Sequence, residues 1–351
     1  MKLLHSADWH LGAPLGAYGH LRRVLEQIPF QVVQTAKDQG CQMILLAGDL
    51  FDAEADRYTL QLVKRALGEA GMPVFISPGN HDFVTPGSVW VTESWPDNVH
   101  IFTETEIESV PLPQLDCRVY GAAFRGPECG SLLEGFCAGG EERYCIGLFH
   151  GDPVTAGAAY NPVSRGQIAD SALDYLALGH IHKTGSVQSG ATLCAWPGCP
   201  MGRGFDETGE KGVLLVELEE DCRIRFLSLE NPCFWDLEAS VEETPERTVS
   251  RLLDLLRPGD CCRITLTGEA EPFDPDALGK QFPDYPNLQL RDRTMLPLTL
   301  WDHAGEDSLE GVFFQKLLRA MEDQQEADCR RIRLAARISR QLLLGQEVKL
   351  P

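Results

Sequence analysis

Short apolar runs that end in polar or glycine-bearing signatures recur along the first two thirds of the chain. Leu3-Leu4 leads into Asp8, and Met43 to Ala47 leads into Gly48-Asp49. Val74 to Ser77 runs into Gly79-Asn80-His81-Asp82, and Cys145 to Phe149 into His150-Gly151-Asp152. Leu176 to Leu178 runs into Gly179-His180-Ile181-His182. Between these runs, Leu21 to Gln39 and Tyr58 to Glu69 carry helical spacing. Apolar strands that alternate with helices and deliver polar groups at their carboxyl ends predict an α/β layered fold. Val213 to Leu218 and Arg223 to Leu229 read as a hairpin that closes this first domain.

The pattern then changes. From Glu217 to Glu246 there are ten acidic residues and two arginines, with Pro232 and Pro245 as breakers, which places a domain boundary near residue 230. Residues 231–305 read as a small α+β unit: a helix from Pro245 to Leu256, a strand from Cys262 to Gly268, a proline-rich stretch to about Asp284 and a strand near Leu288 to Asp292. From Ser308 to Leu344, within a segment spanning 306–351, the pattern is helical again. No repeat, low-complexity tract or sustained heptad is present.

A length of 351 residues suits one large and one smaller domain. With 43% hydrophobic and 24% charged residues the chain is not disordered throughout. No apolar run approaches the ~18 residues of a membrane span, and the opening MKLLHSADWH lacks a signal-peptide core, so the expectation is a cytoplasmic protein. Its twelve cysteines form no C-x-x-C pair and read as reduced bystander thiols. The net charge of −21 opposes stand-alone binding of nucleic acid, which needs clustered Lys and Arg. Any action on DNA or RNA then requires a local basic patch, a bound metal or a partner.

Five of the nine histidines, at 10, 81, 150, 180 and 182, fall in the strand-end signatures beside Asp8, Asp49, Asp52, Asn80 and Asp82. Carboxylate, imidazole and amide groups gathered along one sheet edge are what a pair of divalent metals requires. Asp8-x-His10 and His180-x-His182 each place two side chains on the same side of extended backbone. A carboxylate has two oxygens, and Asp49 after Gly48 is the natural bridge between two cations. Gly48, Gly79, Gly151 and Gly179 would let the backbone turn sharply beside each ligand.

The series Asp8-Trp9-His10, Gly48-Asp49-Leu50-Phe51-Asp52, Gly79-Asn80-His81-Asp82, His150-Gly151 and Gly179-His180-Ile181-His182 resembles the five motifs of the calcineurin-like metallophosphoesterase superfamily. Within it, the stretches His5 to Gly12, Ala47 to Asp52, Pro197-Gly198, Lys211 to Val213 and Cys262 to Gly268 look like the SbcD-type DNA repair exonucleases. The resemblance implies a layered β-sandwich flanked by helices, a small α+β capping domain and C-terminal helices. It implies one metal on Asp8, His10, Asp49 and His182 and a second on Asp49, Asn80, His150 and His180. Mn2+ is the implied ion, and the donor set also admits Fe, Zn or Co. His81 would serve the leaving group and Asp52 would hydrogen-bond His81 and hold it as imidazolium. The implied partners are DNA, an SbcC-like coiled-coil ATPase and a second copy of the chain, with no membrane.

Around this core, Arg203 and Phe205 are candidates for substrate contact, and Trp9, Trp90, Trp95 and Phe83 for stacking on bases. Cys329 to Arg340 holds five arginines and no acid; Arg330, Arg333, Arg337 and Arg340 share one helix face, with Leu334, Ile338 and Leu342 in a row on another. That helix reads as packed on its own domain, as docking a partner, or as touching DNA. The chain has no G-x-S-x-G elbow and no phosphate-binding G-x-x-x-x-G-K-[ST] loop. Three functions compete: a metal-dependent DNA exonuclease or endonuclease subunit of a repair complex with an SMC-like ATPase, a phosphoesterase for nucleotides or another small phosphodiester, and a weakly active regulatory subunit of an ATPase complex.

Overall fold

Each apolar run singled out in the first 230 residues forms a strand. The computed structural model describes residues 1–295, 301–302, 304–322 and 326–343, with backbone alone for 326, 327, 330 and 341. In chain order the strands are β1 (Lys2–Ser6), β2 (Met43–Leu46), β3 (Val74–Ile76), β4 (Val99–Ile101), β5 (Glu108–Leu112) and β6 (Cys117–Gly121). There follow β7 (Tyr144–His150), β8 (Tyr175–Gly179), β9 (Gly185–Ser189), β10 (Thr192–Trp196), β11 (Gly212–Leu218) and β12 (Cys222–Ser228).

They form two six-stranded sheets, in the orders β12-β11-β1-β2-β3-β4 and β5-β6-β7-β8-β10-β9. β1, β2, β3 and β4 run parallel, with Leu3 opposite Met43 and Leu46 opposite Ile76, and the β11–β12 hairpin joins antiparallel on β1. β6, β7, β8 and β10 run parallel in the second sheet. Central strands such as β2 and β8 are buried along their whole length, whereas edge strands β9 and β12 alternate. Parallel strands covered on both faces need that continuous apolar character.

The two sheets share one core, in which Leu3, Leu45, Phe75 and Val216 join Val119, Ile146, Leu148 and Tyr175. Each such side chain contributes about 1.5–3 kcal/mol on burial. The strands not foreseen, β4, β5, β6, β9 and β10, are short or polar on one face; β5 carries Pro111 and lies at a sheet edge, where a missing N–H is tolerated.

Arg57–Gly68 is helical, and the Asp56 side chain caps it by accepting from the Thr59 N–H at 2.8 Å. The single helix expected over Leu21 to Gln39 is instead Gly16–Leu21, Arg22–Leu25 and Ile28–Asp38. Pro29 has no N–H for a helix interior, so a new helix starts with it in the first turn.

The chain divides into two compact units, Met1–Phe234 and Trp235–Pro351. The second holds a three-stranded sheet of β13 (Phe234–Val241), β14 (Cys261–Gly268) and β15 (Asn287–Asp292), the last two parallel. Helix Pro245–Leu253 packs Val249 and Leu253 into the cluster that holds Ile264 and Leu266. In the proline-rich stretch a short helix, Pro275–Gly279, starts on Asp274, whose side chain accepts from the N–H of Asp276 and Ala277.

The helical pattern from Ser308 resolves into Leu309–Met321 and Glu326–Leu343; Leu344 lies outside the described residues. Arg337 is buried and donates to Glu269 at 3.1 Å, and Arg340 donates to Glu310 at 2.6 Å, so two of the four arginines on that face are paired within their own unit. The Arg330 side chain is outside the described set. Among the described residues, no helix is long and apolar enough to cross a membrane.

Candidate metal centre

The candidate donors come from the carboxyl ends of five strands, three in one sheet and two in the other. Asp8 and His10 follow β1, Asp49 and Asp52 follow β2, and Asn80 and His81 follow β3. His150 is the last residue of β7, and His180 and His182 follow β8. Past the strands the first two loops still run side by side: the Asp8 N–H donates to the Gly48 carbonyl at 3.0 Å, and that of His10 to the Asp49 carbonyl at 2.9 Å. Asp8, His10, Asp49 and His180 all have positive φ, at 55°, 46°, 52° and 89°. Such backbone costs about 1–3 kcal/mol per residue and persists only where its surroundings impose it.

Of the four glycines expected to turn the chain, Gly48 has positive φ, at 85°. Gly79 and Gly179 serve by closeness instead. A Cβ on Gly79 would collide with the Asp49 carboxylate, and one on Gly179 with the Ala47 carbonyl.

Asp8, His10, Asp49 and His150 are buried, while His81 keeps 43% of its side chain exposed. Donor atoms of Asp8, His10 and His182 lie within 4.8 Å of one another, as do those of Asp8, Asp49 and His150, and those of His10, Asp49 and His81. Asp49 Oδ2 lies between the two sides, 3.8 Å from His10 Nε2 and 3.3 Å from His150 Nε2. Asn80 Oδ1 is 2.9 Å from His150 Nε2 and 3.2 Å from His180 Nδ1. The Asp8 carboxylate accepts from the His180 N–H at 2.9 Å, which ties the two sheets together at the site. Burial pushes the Asp49 carboxyl up, yet the charges of His150 and His10 hold it well below the usual range. Burial likewise disfavours a charged His150, but the Asp49 carboxylate lifts its imidazole to about 9.

The ring nitrogens provide the test of whether these residues suit a metal. His10 Nδ1 faces Asp52 Oδ1 at 3.0 Å, and His182 Nδ1 faces Glu207 Oε1 at 2.7 Å. Carboxylates accept, so each Nδ1 donates, leaving the neutral rings with lone pairs on Nε2. Those two Nε2 atoms are 3.1 Å apart. Lone pairs that close need a shared cation or proton between them. His150 Nδ1 likewise faces an acceptor, the Ala47 carbonyl at 2.8 Å. Acceptors behind ligating imidazoles are what metal sites use to fix ring and tautomer, and the mixed O/N donor set suits Mn, Fe, Zn or Co. The residues fit.

Sequence reasoning missed Glu207. Its carboxylate accepts from the Arg203 N–H at 2.9 Å and from Arg203 Nη2 at 2.6 Å besides meeting His182. Burial would raise its pKa, but the hydrogen bonds from His182 and Arg203 hold it far below the usual carboxylate range. Asp82, quoted as part of a motif but given no role, is buried and accepts from the N–H of Leu50, Phe51 and Gly79, lashing the second loop to the third. Burial and the neighbouring Asp49 charge push its carboxyl up to about 7. Asn161 Nδ2 donates to the His150 carbonyl at 2.8 Å. No spacing in the sequence links Glu207 or Asn161 to the ligands they hold.

Asp52 reaches His81 differently from the expectation. Its carboxylate is taken by His10, and His81 Nδ1 instead meets the Asp52 backbone carbonyl at 3.1 Å, with the carboxylate oxygen 3.7 Å away. Arg203 is committed to Glu207 and lies 3.6 Å from Asp52. Phe205 packs edge-on against Tyr18 and Phe234. Trp9 and Trp90 are buried, with their indole N–H groups donated to Ser6 and to the Asp82 carbonyl, which removes Trp9 as a base platform.

Acidic, imidazole and amide donors at the carboxyl ends of two packed sheets define a metallophosphoesterase. Residues 1–184, just over half the chain, match the calcineurin-like phosphoesterase family, and the chain belongs to it. It is similar to the uncharacterized metallophosphoesterase YhaO of Bacillus subtilis (strain 168), 28% identical over 303 residues that cover 77% of this chain and 72% of YhaO. It is also similar to the SbcD component of the SbcCD nuclease of that organism, 24% identical over 261 residues, 62% of this chain and 66% of that component. Among solved structures it is similar to a dimetal phosphatase from Danio rerio, with a TM-score of 0.44 and 13% identity over 64% of this chain and 95% of that one.

Proposed function

We propose that the chain is a two-metal phosphodiesterase that hydrolyses DNA as the nuclease subunit of a complex with a coiled-coil ATPase. Asp8, His10, Asp49 and His182 would hold one divalent ion and Asp49, Asn80, His150 and His180 the other, with Mn2+ the preferred species. When bound, the ions supply Lewis acidity to the phosphate oxygens and lower the pKa of water. The chain's own contribution is proton transfer and orientation. His81 is the exposed member of an otherwise largely buried group, with its ring edge-on to His10 at 4.7 Å. With Nδ1–H donated to the Asp52 carbonyl, the transferable proton of the imidazolium is on Nε2, available to the departing oxygen. In the net reaction, water adds its oxygen to phosphorus, the P–O bond to the leaving alcohol breaks, and that alcohol departs protonated.

The observation that carries this reading is the convergence of buried donors from both sheets with the accessible His81 beside them. Similarity to the SbcD component of the SbcCD nuclease supports DNA as substrate. The charge of −21 supports dependence on a partner, since an acidic surface repels a polyanion beyond its immediate contacts. Residues 231–305 are then an accessory domain, and 306–351 dock the ATPase through the exposed Leu342 and Leu343.

The test is Mn2+-dependent hydrolysis of linear duplex DNA, single-stranded DNA and bis-p-nitrophenyl phosphate side by side. DNA cleavage is the expected result. Turnover of the chromogenic diester alone, with and without the ATPase, would favour a small phosphodiester substrate, the reading that the acidic charge also fits. No turnover of any of the three defeats both.

A further inference from the structure

We infer that a nucleoside on the leaving-group side of the scissile phosphate is seated in the aromatic cleft beside His81, an inference that rests on the phosphodiesterase reading above. The cleft has a volume of about 460 Å³, within the size range of small-ligand sites, and His81 is part of its wall. Phe51, Phe83, Val89 and Trp90 line it together with Ala53 and Ala55.

Its floor is rigid. Phe51 and Trp90 are buried with ring centroids 5.4 Å apart, Trp90 donates its indole N–H to the Asp82 carbonyl, and Trp95 stacks behind Trp90 at 5.2 Å and 17°. Phe83, half-buried, forms a wall that a planar ring can cover.

Charge narrows the occupant further. Among the lining residues there is no Lys or Arg, and Glu54 stands exposed at the cleft. A second phosphate would be repelled there, whereas a neutral planar base gains stacking area. The cleft meets the catalytic group assigned to the departing oxygen, so whatever fills it is carried by the alcohol that leaves.

Adenosine 5′-(methyl phosphate) tests this through an internal competition, because either alkoxide can depart from one phosphorus. Cleavage by the Mn2+-loaded full chain should yield adenosine and methyl phosphate over AMP and methanol by about tenfold, the worth of one base–ring stack. In Phe83→Ala, and in Ala55→Trp, which fills the cleft, that ratio should fall towards unity with the Mn2+ content per chain unchanged by elemental analysis. A wild-type ratio favouring AMP, or a ratio that neither substitution moves, overturns the inference.

Saturation-transfer NMR with adenosine provides a readout that needs no turnover. Signals in the wild type that vanish in Phe83→Ala support the cleft, and their absence from the wild type refutes it. If bis-p-nitrophenyl phosphate were also inert, the hydrolase reading would fail, and adenosine binding would decide the cleft alone.

Discussion

The two sides of the candidate metal centre are built by different means. On one side His10 and His182 are held by ionised side chains, Asp52 and Glu207, and Arg203 links the two carboxylates. On the other, His150 is held by the Ala47 carbonyl and by the Asn161 side chain, which donates to the His150 carbonyl, so the support is neutral. The first arrangement is electrostatic and open to change by one substitution. The second is uncharged and anchored on backbone carbonyls at the ends of β2 and β7. A single fold thus offers one side where affinity is adjustable and one where position is fixed.

The most severe way to break that contrast is to remove what the sides share. Asp49→Ala should lose both ions and essentially all activity, since without the shared carboxylate two cations repel across one cavity; elemental analysis that still finds two ions per chain would refute the bridging role. His81→Ala should separate chemistry from binding. Both ions stay, and hydrolysis falls by about 10²–10⁴-fold, the usual worth of positioned proton donation; loss of a metal in that variant would make His81 a ligand.

Glu207→Gln addresses the electrostatic side alone. It keeps the shape and removes the charge, so affinity for the ion on Asp8, His10 and His182 should drop about 10–100-fold, with the other ion unaffected. Calorimetric titration with Mn2+ should then show one step moved to weaker binding and the other as in the wild type. Equal weakening of both ions would show that the two sides are not independent.

The smallest effect on metal binding and activity is expected at an ionisable group outside both sides. His5 is buried, and its Nδ1 meets the Tyr175 hydroxyl at 2.8 Å. Burial lowers its pKa from 6.5 to about 3, against a weaker opposing bond to Leu178. The unfolded chain therefore takes up a proton at His5 that the folded chain refuses. The stability contributed by neutral His5 is complete above pH 6.5 and is lost as pH falls towards 3, by about 1.4 kcal/mol per pH unit. His5→Leu should flatten the acid branch of denaturation over that window without altering metal content.

Much of this was legible in the chain because two signals coincide there. A continuous apolar run marks a buried parallel strand, and a cluster of Asp and His just beyond it marks where that strand ends; Asp8, Asp49 and His150 satisfy both. The helix over Tyr58 to Glu69 was equally plain, since the spacing of its apolar residues is a local feature. What stayed hidden depends on contacts between distant segments. Glu207 lies 25 residues from His182 in a turn-rich stretch, and nothing in its neighbourhood distinguishes it from a solvated acid. The arginine-rich helix left three readings open for the same reason. A basic face looked available for binding, but the partners of Arg337 and Arg340, Glu269 and Glu310, are far away in sequence.

The Asp8 carboxylate that catches the His180 amide bears on more than chemistry. With the bonds of His5 to Tyr175 and of His150 to the Ala47 carbonyl it is one of the polar stitches across a largely apolar seam between the two sheets, and ions held by Asp8, Asp49, His150 and His182 would be rivets along the same seam. They would close loops of more than a hundred residues, as a disulfide would, through bonds that a chelator can undo. Because the unfolded chain has no such pocket, occupancy and the closure of the sandwich are one linked equilibrium. The supply of metal around a newly made chain would then set how much of it survives proteolysis, quite apart from how fast it works.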